Sequence, residues 1–306
     1  MKKLIFGIVL TLVLLISLIY FFIPGKIKIY KSVPVHASMT GVSRLLSNDS
    51  TWHEWWPGEQ TLHFNGKSYL INGHIFNAFD ITIIKEKDSL DSRMNLVLIT
   101  DDSISLDWNL ELTTGSDPFR RFSQYKKAKE IGNDLNTILI SLKKFAEIPE
   151  NIYGIVVKKT IVQDSVLIST RRSFDHQPGV QEIEALIQRL KTYIAQNKAV
   201  EKNFPMLNVM MIDSSDYQAM VAIPVDRQLP ATGEFAPKVL LKGGNILETQ
   251  IQGGPHTIEK AFTNLEHYRS DHRYTSPAIP FQLLVTDRSK EADTAKWITK
   301  LYYPIF

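Results

Sequence analysis

Residues 183–193 read IEALIQRLKTY, and residues 258–268, which lie 75 positions later, read IEKAFTNLEHY. Ile, Glu, Leu and Tyr recur at four of the eleven aligned positions. Both segments are helix-like, so the chain contains the same helical segment twice. Because an internal repeat at a fixed spacing defines the unit of a fold, the C-terminal half is interpreted from this duplication.

The duplication extends beyond the helical segment. Pro205 opens one apolar run, and Pro280, again 75 positions later, opens another. Each copy closes on a run that ends in proline, VAIP at residues 221–224 and LYYP at residues 301–304. The pattern predicts two βαββ copies that face each other across a pseudo-two-fold axis. The cleft between the copies is the first candidate for a ligand site.

Length and composition limit the possible folds and functions. A chain of 306 residues with 44% hydrophobic residues is long enough for about two domains with sizeable cores. The net charge of +3 does not by itself indicate a nucleic-acid-binding protein. The absence of cysteine excludes disulfides, thiol nucleophiles and Cys-ligated zinc.

Residues 4–23 form an uncharged stretch that is rich in Leu, Ile, Val and Phe and ends at Pro24. Twenty helical residues span about 30 Å, the thickness of a bilayer core. No small-residue cleavage site follows, so we predict a single-pass anchor within residues 1–25, with a cleaved signal peptide as the alternative. Lysines flank the stretch almost equally, and we expect the soluble part on the non-cytoplasmic side of the cell membrane.

Residues 26–149 predict an antiparallel sheet that grips one long helix. A strand at residues 27–35 and a helix at 39–46 precede an aromatic turn. The strand-like runs that follow are residues 60–64, 68–74, 76–85, 92–100 and 104–113. A helical pattern then begins at Asp117 and continues to Ile148, and residues 147–151 are the predicted linker.

This order of elements, with W-x-x-W-W-P at residues 52–57 after the first helix, resembles the SRPBCC superfamily of START-like and polyketide-cyclase-like helix-grip domains. The resemblance implies a deep apolar cavity between the sheet and the long helix, suited to a lipid or another hydrophobic molecule. Trp108 is the candidate ligand-binding residue there. The alternative is that Trp108 and the other tryptophans simply pack the core.

Residues 150–306 form the predicted second domain. Residues 155–174 read as one strand with a bend near Asp164, because they are rich in β-formers. A hairpin follows the first repeated helix, with strands at 204–212 and 217–225. The remaining predicted strands are residues 238–241, 246–251, 279–286 and 297–303.

Four motifs in this half, in order, resemble the GyrI-like small-molecule-binding family, which also supplies the effector-binding domain of some AraC- and MerR-type regulators. They are KGG at residues 242–244, GGPHTI at 253–258, PFQLLVTD at 280–287 and YYPI at 302–305. The resemblance covers residues 154–306 and implies a cleft between the repeats that binds small, often cationic or aromatic, ligands.

One position departs from that family. Many members carry a glutamate where this chain has Gln282, and the glutamate meets a cationic ligand or serves hydrolysis. An amide lacks the charge that favours a buried cation, so Gln282 weakens both interpretations. The other candidate ligand-binding residues are aromatic side chains and one histidine at a helix start. They are Phe262, Tyr268, Tyr217, Trp297, Tyr302 and His256, each with core packing, or a surface role for His256, as the alternative.

The whole sequence therefore predicts an α+β protein: an N-terminal transmembrane helix, a helix-grip sheet and a duplicated βαββ domain. The leading hypothesis is a membrane-anchored protein that binds or senses a small apolar or amphipathic ligand. The enzymatic alternative is a hydrolase or cyclase acting in either cavity; an interaction module with filled cavities is the third hypothesis. No room remains for a helix-turn-helix, and we expect no nucleic-acid partner, metal or cofactor.

Overall fold

The computed structural model describes residues 2–213 and 215–306. It divides into two compact units, Met1–Ile148 and Pro149–Phe306. The predicted α+β class is confirmed, since helices accompany an antiparallel sheet in each unit. Ser214, in the predicted turn at residues 213–216, lies outside the described residues.

The first unit begins with helix α1 (Lys2–Phe22). Its stretch Leu4–Phe22 is long and apolar enough to cross a membrane, and none of it is buried within the protein. The end of α1 docks on the rest of the unit: the Tyr20 hydroxyl donates to the Ser116 carbonyl, and the Arg121 guanidinium lies 4.7 Å from the Tyr20 ring centre.

A six-stranded antiparallel sheet follows in the order β1-β6-β5-β4-β3-β2. Its strands are β1 (Lys26–Val35), β2 (His63–Phe64), β3 (Lys67–Ile75), β4 (Ala78–Lys85), β5 (Asp88–Thr100) and β6 (Ser103–Thr113). The predicted strand at residues 60–64 is wrong for its first three residues. They form a turn in which Leu62 has a positive φ of 61°, a conformation that no strand contains.

Three helices complete the first unit: α2 (Met39–Leu46), α3 (Trp52–Trp55) and α4 (Pro118–Ala146). Asp117 caps α4 by accepting a hydrogen bond from the Arg120 amide at 2.6 Å, and Pro118 occupies the first turn, where its missing N–H costs nothing. The buried face of α4 packs towards the sheet. It carries Ile131, Leu135, Ile138, Leu139 and Leu142.

A buried ion network joins α4 to β3. Lys67 is only 1% exposed, and its ammonium group donates to Asp134 Oδ2 at 2.8 Å and to Glu130. Burial opposes the charge of Lys67, but the hydrogen bonds to Asp134 and Glu130 outweigh it and raise the pKa of Lys67. Asn65 donates to the other Asp134 oxygen at 2.8 Å, so both oxygens of this carboxylate have partners.

The second unit opens with helix α5 (Pro149–Tyr153). The boundary between the units, after Ile148, falls within the predicted linker at residues 147–151, and Pro149 starts a helical turn there. Residues 155–174, predicted as one strand with a bend near Asp164, are interrupted at residues 162–165, where the bend was expected. They form two strands, β7 (Lys158–Ile161) and β8 (Val166–Phe174), which pair with different partners.

The eight-stranded sheet of the second unit has the order β11-β8-β10-β9-β13-β14-β12-β7. Its other strands are β9 (Met206–Met211), β10 (Tyr217–Pro224), β11 (Ala236–Val239), β12 (Asn245–Gln252), β13 (Phe281–Leu284) and β14 (Ile298–Pro304). The two repeated segments form helices α6 (Val180–Gln196) and α7 (Pro255–Asp271). Each helix has 17 residues, and the second starts 75 positions after the first, as the sequence predicts.

The order of strands shows the duplication. The first copy is β8-α6-β9-β10 and the second is β12-α7-β13-β14. The second strands of the two copies, β9 and β13, pair antiparallel at the centre, and the third and first strands follow outward on each side. The sheet therefore has the pseudo-two-fold arrangement of two βαββ units.

The outermost strands are exchanged between the copies. Strand β7 precedes the first copy but pairs with β12 of the second, while β11 precedes the second copy and pairs with β8 of the first. The outer edge strand of each copy is therefore supplied by the segment that leads into the other copy.

Candidate functional site

A cleft lies between the two helices of the second unit, above the central strands of its sheet. Its volume is about 1110 Å³. Both copies contribute to the lining, from α6, α7, β9 and β13. The sequence predicts a cleft of this kind between the repeats.

The lining repeats with the chain. Residues 75 positions apart line the cleft in matching pairs: Ile183 and Ile258, Glu184 and Glu259, Ile187 and Phe262, and Leu207 and Gln282. An aromatic pair also lines the cleft. Tyr217 is the first residue of β10, and Trp297, 80 positions later, directly precedes β14. The cleft therefore has near-symmetric apolar walls.

The centre of the floor is asymmetric. Gln282 and Leu207 are direct partners across the β9–β13 seam, and each is the repeat counterpart of the other. The pseudo-two-fold axis therefore passes between a polar amide and a buried aliphatic side chain. This is the position where the family resemblance implies a glutamate in place of Gln282.

Arg288 places a positive charge beside Gln282. Its Nη2 atom donates to Gln282 Oε1 at 3.3 Å and to the Thr299 hydroxyl at 2.9 Å. The guanidinium carbon lies 4.6 Å from the centre of the Trp297 ring. The indole is fixed in turn, since its Nε1 donates to the Glu291 carbonyl at 2.9 Å. Arg288 is thus held on an aromatic platform.

Desolvation lowers the pKa of Arg288 to about 10, and nothing opposes that effect. The guanidinium remains charged near neutral pH. In the part of the chain that the structure describes, no carboxylate forms an ion pair with it. A partly buried cation without a counter-charge is costly, because the interior solvates charge poorly.

The other charges of the cleft are exposed or have partners. Asp287, exposed at the rim, pairs with Lys290 at 2.8 Å; this lysine and Ser289 lower the pKa of Asp287 to about 2. Lys191 lies 3.8 Å from Glu201. Glu184 accepts from the Gln188 side chain at 2.6 Å. Its repeat counterpart, Glu259, is exposed to solvent.

The structure brings together four of the eight residues singled out from the sequence. Gln282, Phe262, Tyr217 and Trp297 line the cleft. The other four do not line it. They are Tyr268, Tyr302, His256 and Trp108.

Tyr268 and Tyr302, both on the second copy, pack against neighbouring aromatic rings. Tyr268 stacks on His272, with ring centres 4.1 Å apart, and contacts Tyr153 of α5. Tyr302 stacks on Phe281 at 5.2 Å, in the hydrophobic cluster on the sheet face away from the helices. Its hydroxyl donates to Glu248 at 2.7 Å. Burial, reinforced by this hydrogen bond, raises the pKa of Tyr302.

His256 and Trp108 also lie elsewhere. His256 is exposed in the first turn of α7. Trp108 belongs to the first unit, where it is 1% exposed and its Nε1 donates to the Ser92 hydroxyl at 3.0 Å.

Trp108 ends a chain of aromatic contacts in the first unit. Each ring contacts the next, with ring centres 4.8 to 6.2 Å apart, in the order Trp52, Trp55, Trp56, Tyr69 and Trp108. The cluster borders α4, since Ser141 donates to the Trp55 carbonyl at 2.6 Å. Aromatic side chains thus pack where the helix-grip resemblance implies a cavity.

Sequence reasoning missed two features of the site. The first is Leu207. It lies 75 residues before Gln282, so the spacing that relates the repeated helices could have identified it as the counterpart of Gln282. Arg288 carries no such signal. The position 75 residues earlier is Asp213, so the repeat gives no reason to expect an arginine.

Within residues 2–213 and 215–306, no group of three or more His, Cys, Asp or Glu side chains could hold a metal ion. The desolvated titratable group of the cleft is Arg288, which cannot exchange a proton near neutral pH.

No protein-family model matches the chain, and no curated protein matches it. Among solved structures, the C-terminal domain of EcmrR is similar to it, with a TM-score of 0.43 and 12% identity over 50% of this chain and 98% of that one. SAV2435 bound to tetraphenylphosphonium has a TM-score of 0.35 and 12% identity, over 50% of this chain and 94% of that one. A hydrolase from Listeria innocua has a TM-score of 0.37 and 8% identity, over 49% of this chain and 91% of that one.

Proposed function

We propose that this chain is a membrane-anchored protein that binds a small apolar or amphipathic molecule in the cleft of its second unit. The observation that carries the proposal is the cleft itself, walled by matching residues of two βαββ copies and holding about 1110 Å³. Ligand sites for small molecules are typically concave, of roughly 300–1,000 Å³, and mostly apolar with a few polar groups.

The lining fits an amphipathic ligand. Ile183, Ile187, Ile258 and Phe262 supply apolar walls, and the polar groups concentrate near Gln282. The GyrI-like resemblance of residues 154–306 implies a binding cleft at this place. An interaction module with filled cavities fits the second unit less well, because space remains between its copies.

Binding is a better proposal than hydrolysis or cyclisation. An enzyme of either kind needs a group that moves a proton or attacks the substrate. Arg288 lines the cleft and cannot exchange a proton near neutral pH. The GyrI-like resemblance implies a glutamate at the position of Gln282, and an amide cannot take that proton-transfer role.

The remaining parts of the chain fit a tethered binding protein. Residues 4–22 serve as the proposed single-pass anchor, with the soluble units on the non-cytoplasmic side. Residues 26–149 are the proposed helix-grip domain and residues 150–306 the proposed effector-binding domain. No nucleic-acid contact enters the proposal.

The test fills the cleft with a side chain. Val209 lines the cleft and is half-buried at the edge of the core, so Val209→Trp narrows the site, and circular dichroism checks that the variant is folded. Val239, 72% exposed on β11 and outside the lining, provides the matched control Val239→Trp. We expect naphthalene-2-methanol and decanoate to bind the full chain in nanodiscs, to bind the Val209 variant at least about 10-fold more weakly, and to bind the control unchanged. Equal binding to all three proteins rules out this cleft.

A further inference from the structure

We infer that the cleft selects an anionic ligand, a carboxylate carried on an apolar or aromatic body, and that Arg288 is the residue that binds the carboxylate. This inference rests on the proposed function and names its ligand class. It reverses the cationic preference that the family resemblance implies.

The first support is the unused hydrogen-bonding capacity of Arg288. A guanidinium has five N–H donors and no acceptor. The two recorded hydrogen bonds of Arg288, to Gln282 and Thr299, both come from Nη2. Among the described residues, Nε and Nη1 have no recorded partner. A carboxylate accepts from two guanidinium nitrogens at once, and such bidentate pairs are among the strongest hydrogen bonds in proteins.

The second support is the orientation of Gln282. Because arginine only donates, the amide oxygen of Gln282 must face Arg288, as it does at 3.3 Å. The amide N–H groups of Gln282 therefore point away from the guanidinium, and within residues 2–213 and 215–306 no group accepts a hydrogen bond from them. They are further donors on the axis of the cleft, close to Arg288.

The third support is that Arg288 is already held in place. Thr299, which is fully buried on β14, fixes one end of the guanidinium, and the Trp297 ring supports its face. A ligand that binds this group does not have to order a long flexible side chain, which is a substantial part of the cost of binding.

The acidic residues of the cleft do not cancel this charge. Asp287 is neutralised by Lys290, whose pKa is raised chiefly by Asp287 and also by Glu184. Glu259 is exposed to solvent, where its field is screened. A charge in a partly desolvated position acts more strongly on a neighbouring ligand than one in bulk water. The ligand's anionic end is therefore expected at Arg288 and its apolar body against the isoleucine and phenylalanine walls.

The experiment compares three ligands of equal size that differ in charge: naphthalene-2-carboxylate, naphthalene-2-methanol and naphthalene-2-methylammonium. The full chain is placed in nanodiscs of neutral phosphatidylcholine, and affinities are measured by calorimetry. We expect the carboxylate to bind at least about 10-fold more tightly than the alcohol, and the ammonium to bind most weakly.

The variants separate charge from structure. Arg288→Met keeps the aliphatic stem; it is expected to weaken carboxylate binding about 10- to 100-fold and alcohol binding less than about 3-fold. We expect Arg288→Lys to bind the carboxylate more tightly than Arg288→Met does, but more weakly than the parent does. Arg189→Met removes a cation that pairs with Glu234 and does not line the cleft, so it leaves all three affinities unchanged.

Several outcomes contradict the inference, and they differ from failure of the proposed function. If the alcohol or the ammonium binds the parent as tightly as the carboxylate, the cleft binds ligands but Arg288 does not select them. If Arg288→Met weakens all three ligands alike, while circular dichroism shows a folded chain, the arginine only shapes the cleft. If none of the three binds the parent, both the inference and the proposed function fail.

Discussion

Gln282 lies directly opposite Leu207 across the seam between β13 and β9, and these two residues occupy the same position in the two copies of the duplicated unit. A pseudo-symmetric sheet thus has one polar and one apolar residue on its axis. The polar residue adjoins Arg288, and the apolar residue is 3% exposed in the core. Both copies line the cleft, and under our proposal the difference between these two positions determines which end of a ligand each half can meet.

The first prediction concerns Gln282→Glu. From the sequence, a glutamate at this position is expected to improve the binding of cations. In the structure, the new carboxylate would lie within reach of Arg288 Nη2, which is 3.3 Å from Gln282 Oε1, and would form an ion pair with it. We therefore expect the single variant to gain nothing for naphthalene-2-methylammonium and to lose carboxylate binding.

The double variant Gln282→Glu with Arg288→Met frees the new carboxylate, and here we expect the ammonium to bind at least about 10-fold more tightly than to the parent. Calorimetry on the parent, both single variants and the double variant measures the coupling between the two positions. Equal cation affinity in the single and double variants would show that Arg288 does not neutralise a carboxylate at residue 282.

The second prediction concerns the buried ion network of the first unit. Lys67→Met leaves Asp134 buried without its counter-charge, and we expect this to destabilise the first unit by about 3–5 kcal/mol. Adding Asp134→Asn removes the orphaned charge and should recover a large part of that loss. The free energy of unfolding, from denaturant titration followed by tryptophan fluorescence, is the measurement.

A surface pair serves as the control for this network. Arg93 and Asp80 lie 2.6 Å apart but are both well exposed, so Arg93→Met should cost no more than about 1 kcal/mol. If Lys67→Met costs as little as Arg93→Met, the Lys67 network contributes no more than an exposed ion pair.

The third prediction is a pH dependence at the start of α6. His176 lies 2.7 Å from Asp175 and 3.1 Å from Glu182, and these hydrogen bonds raise the pKa of His176 above 6.5. The folded state therefore binds the His176 proton more tightly than the unfolded state does. The stability that protonated His176 gives to the fold is fully present below pH 6.5 and is lost as the pH rises through the folded-state pKa. We expect His176→Gln to lower the Tm at about pH 5.5 and to leave it nearly unchanged at about pH 8.5.

His256→Gln is the matched control, because His256 is exposed near the start of the second repeated helix and its repeat counterpart is a glutamine, Gln181. At about pH 5.5 we expect the Tm of His256→Gln to differ less from that of the parent than the Tm of His176→Gln does. A His176→Gln effect of equal size at both pH values would mean that the His176 charge is not involved.

The fourth prediction concerns the anchor. A cleaved signal would remove α1, whereas the contacts of Tyr20 with Ser116 and Arg121 dock the end of α1 on the first unit. We expect protein from membranes to keep residues 1–23, as measured by intact mass, and to stay in the membrane pellet after an alkaline wash. A chain that begins after residue 23 would support the cleaved-signal alternative.

A charged variant tests whether α1 spans the bilayer. Leu12 and Leu14 lie in the middle of the apolar stretch, and replacing both with Arg costs roughly 2.5–3.5 kcal/mol per residue on insertion. We expect this variant to move largely to the soluble fraction. Val239→Arg, on the exposed strand β11, should leave the distribution unchanged.

The sequence predicted what local patterns determine. The recurring Ile, Glu, Leu and Tyr placed α6 and α7, and the two proline-terminated runs placed the ends of β10 and β14. Such elements have short-range signals, because periodicity and helix-terminating residues act within one or two turns. Four of the eight proposed ligand-binding residues reach the cleft for the same reason, since they lie on the repeated elements.

The predictions that failed concern features that are set by contacts between residues far apart in the sequence. Residues 158–161 and 166–174 both favour strands, and nothing local shows that they belong in opposite halves of one sheet. Arg288 follows β13 in an exposed turn, and it becomes part of the cleft only because its side chain folds back over Trp297 and Thr299. Tyr268 and Tyr302 have the composition of ligand-binding residues, but their rings pack against His272 and Phe281.

The exchanged outer strands have a consequence for how the chain is made. Ile161 leaves the ribosome 84 residues before Asn245, the residue with which it pairs, so the earliest strand of this unit waits longest for its partner. A nascent chain that stops between the copies leaves β7 unpaired and the β8 edge open, and open edges invite association with other chains. Each copy taken alone therefore lacks its outer edge strand, and synthesis must reach β11 to cover the β8 edge and β12 to pair β7.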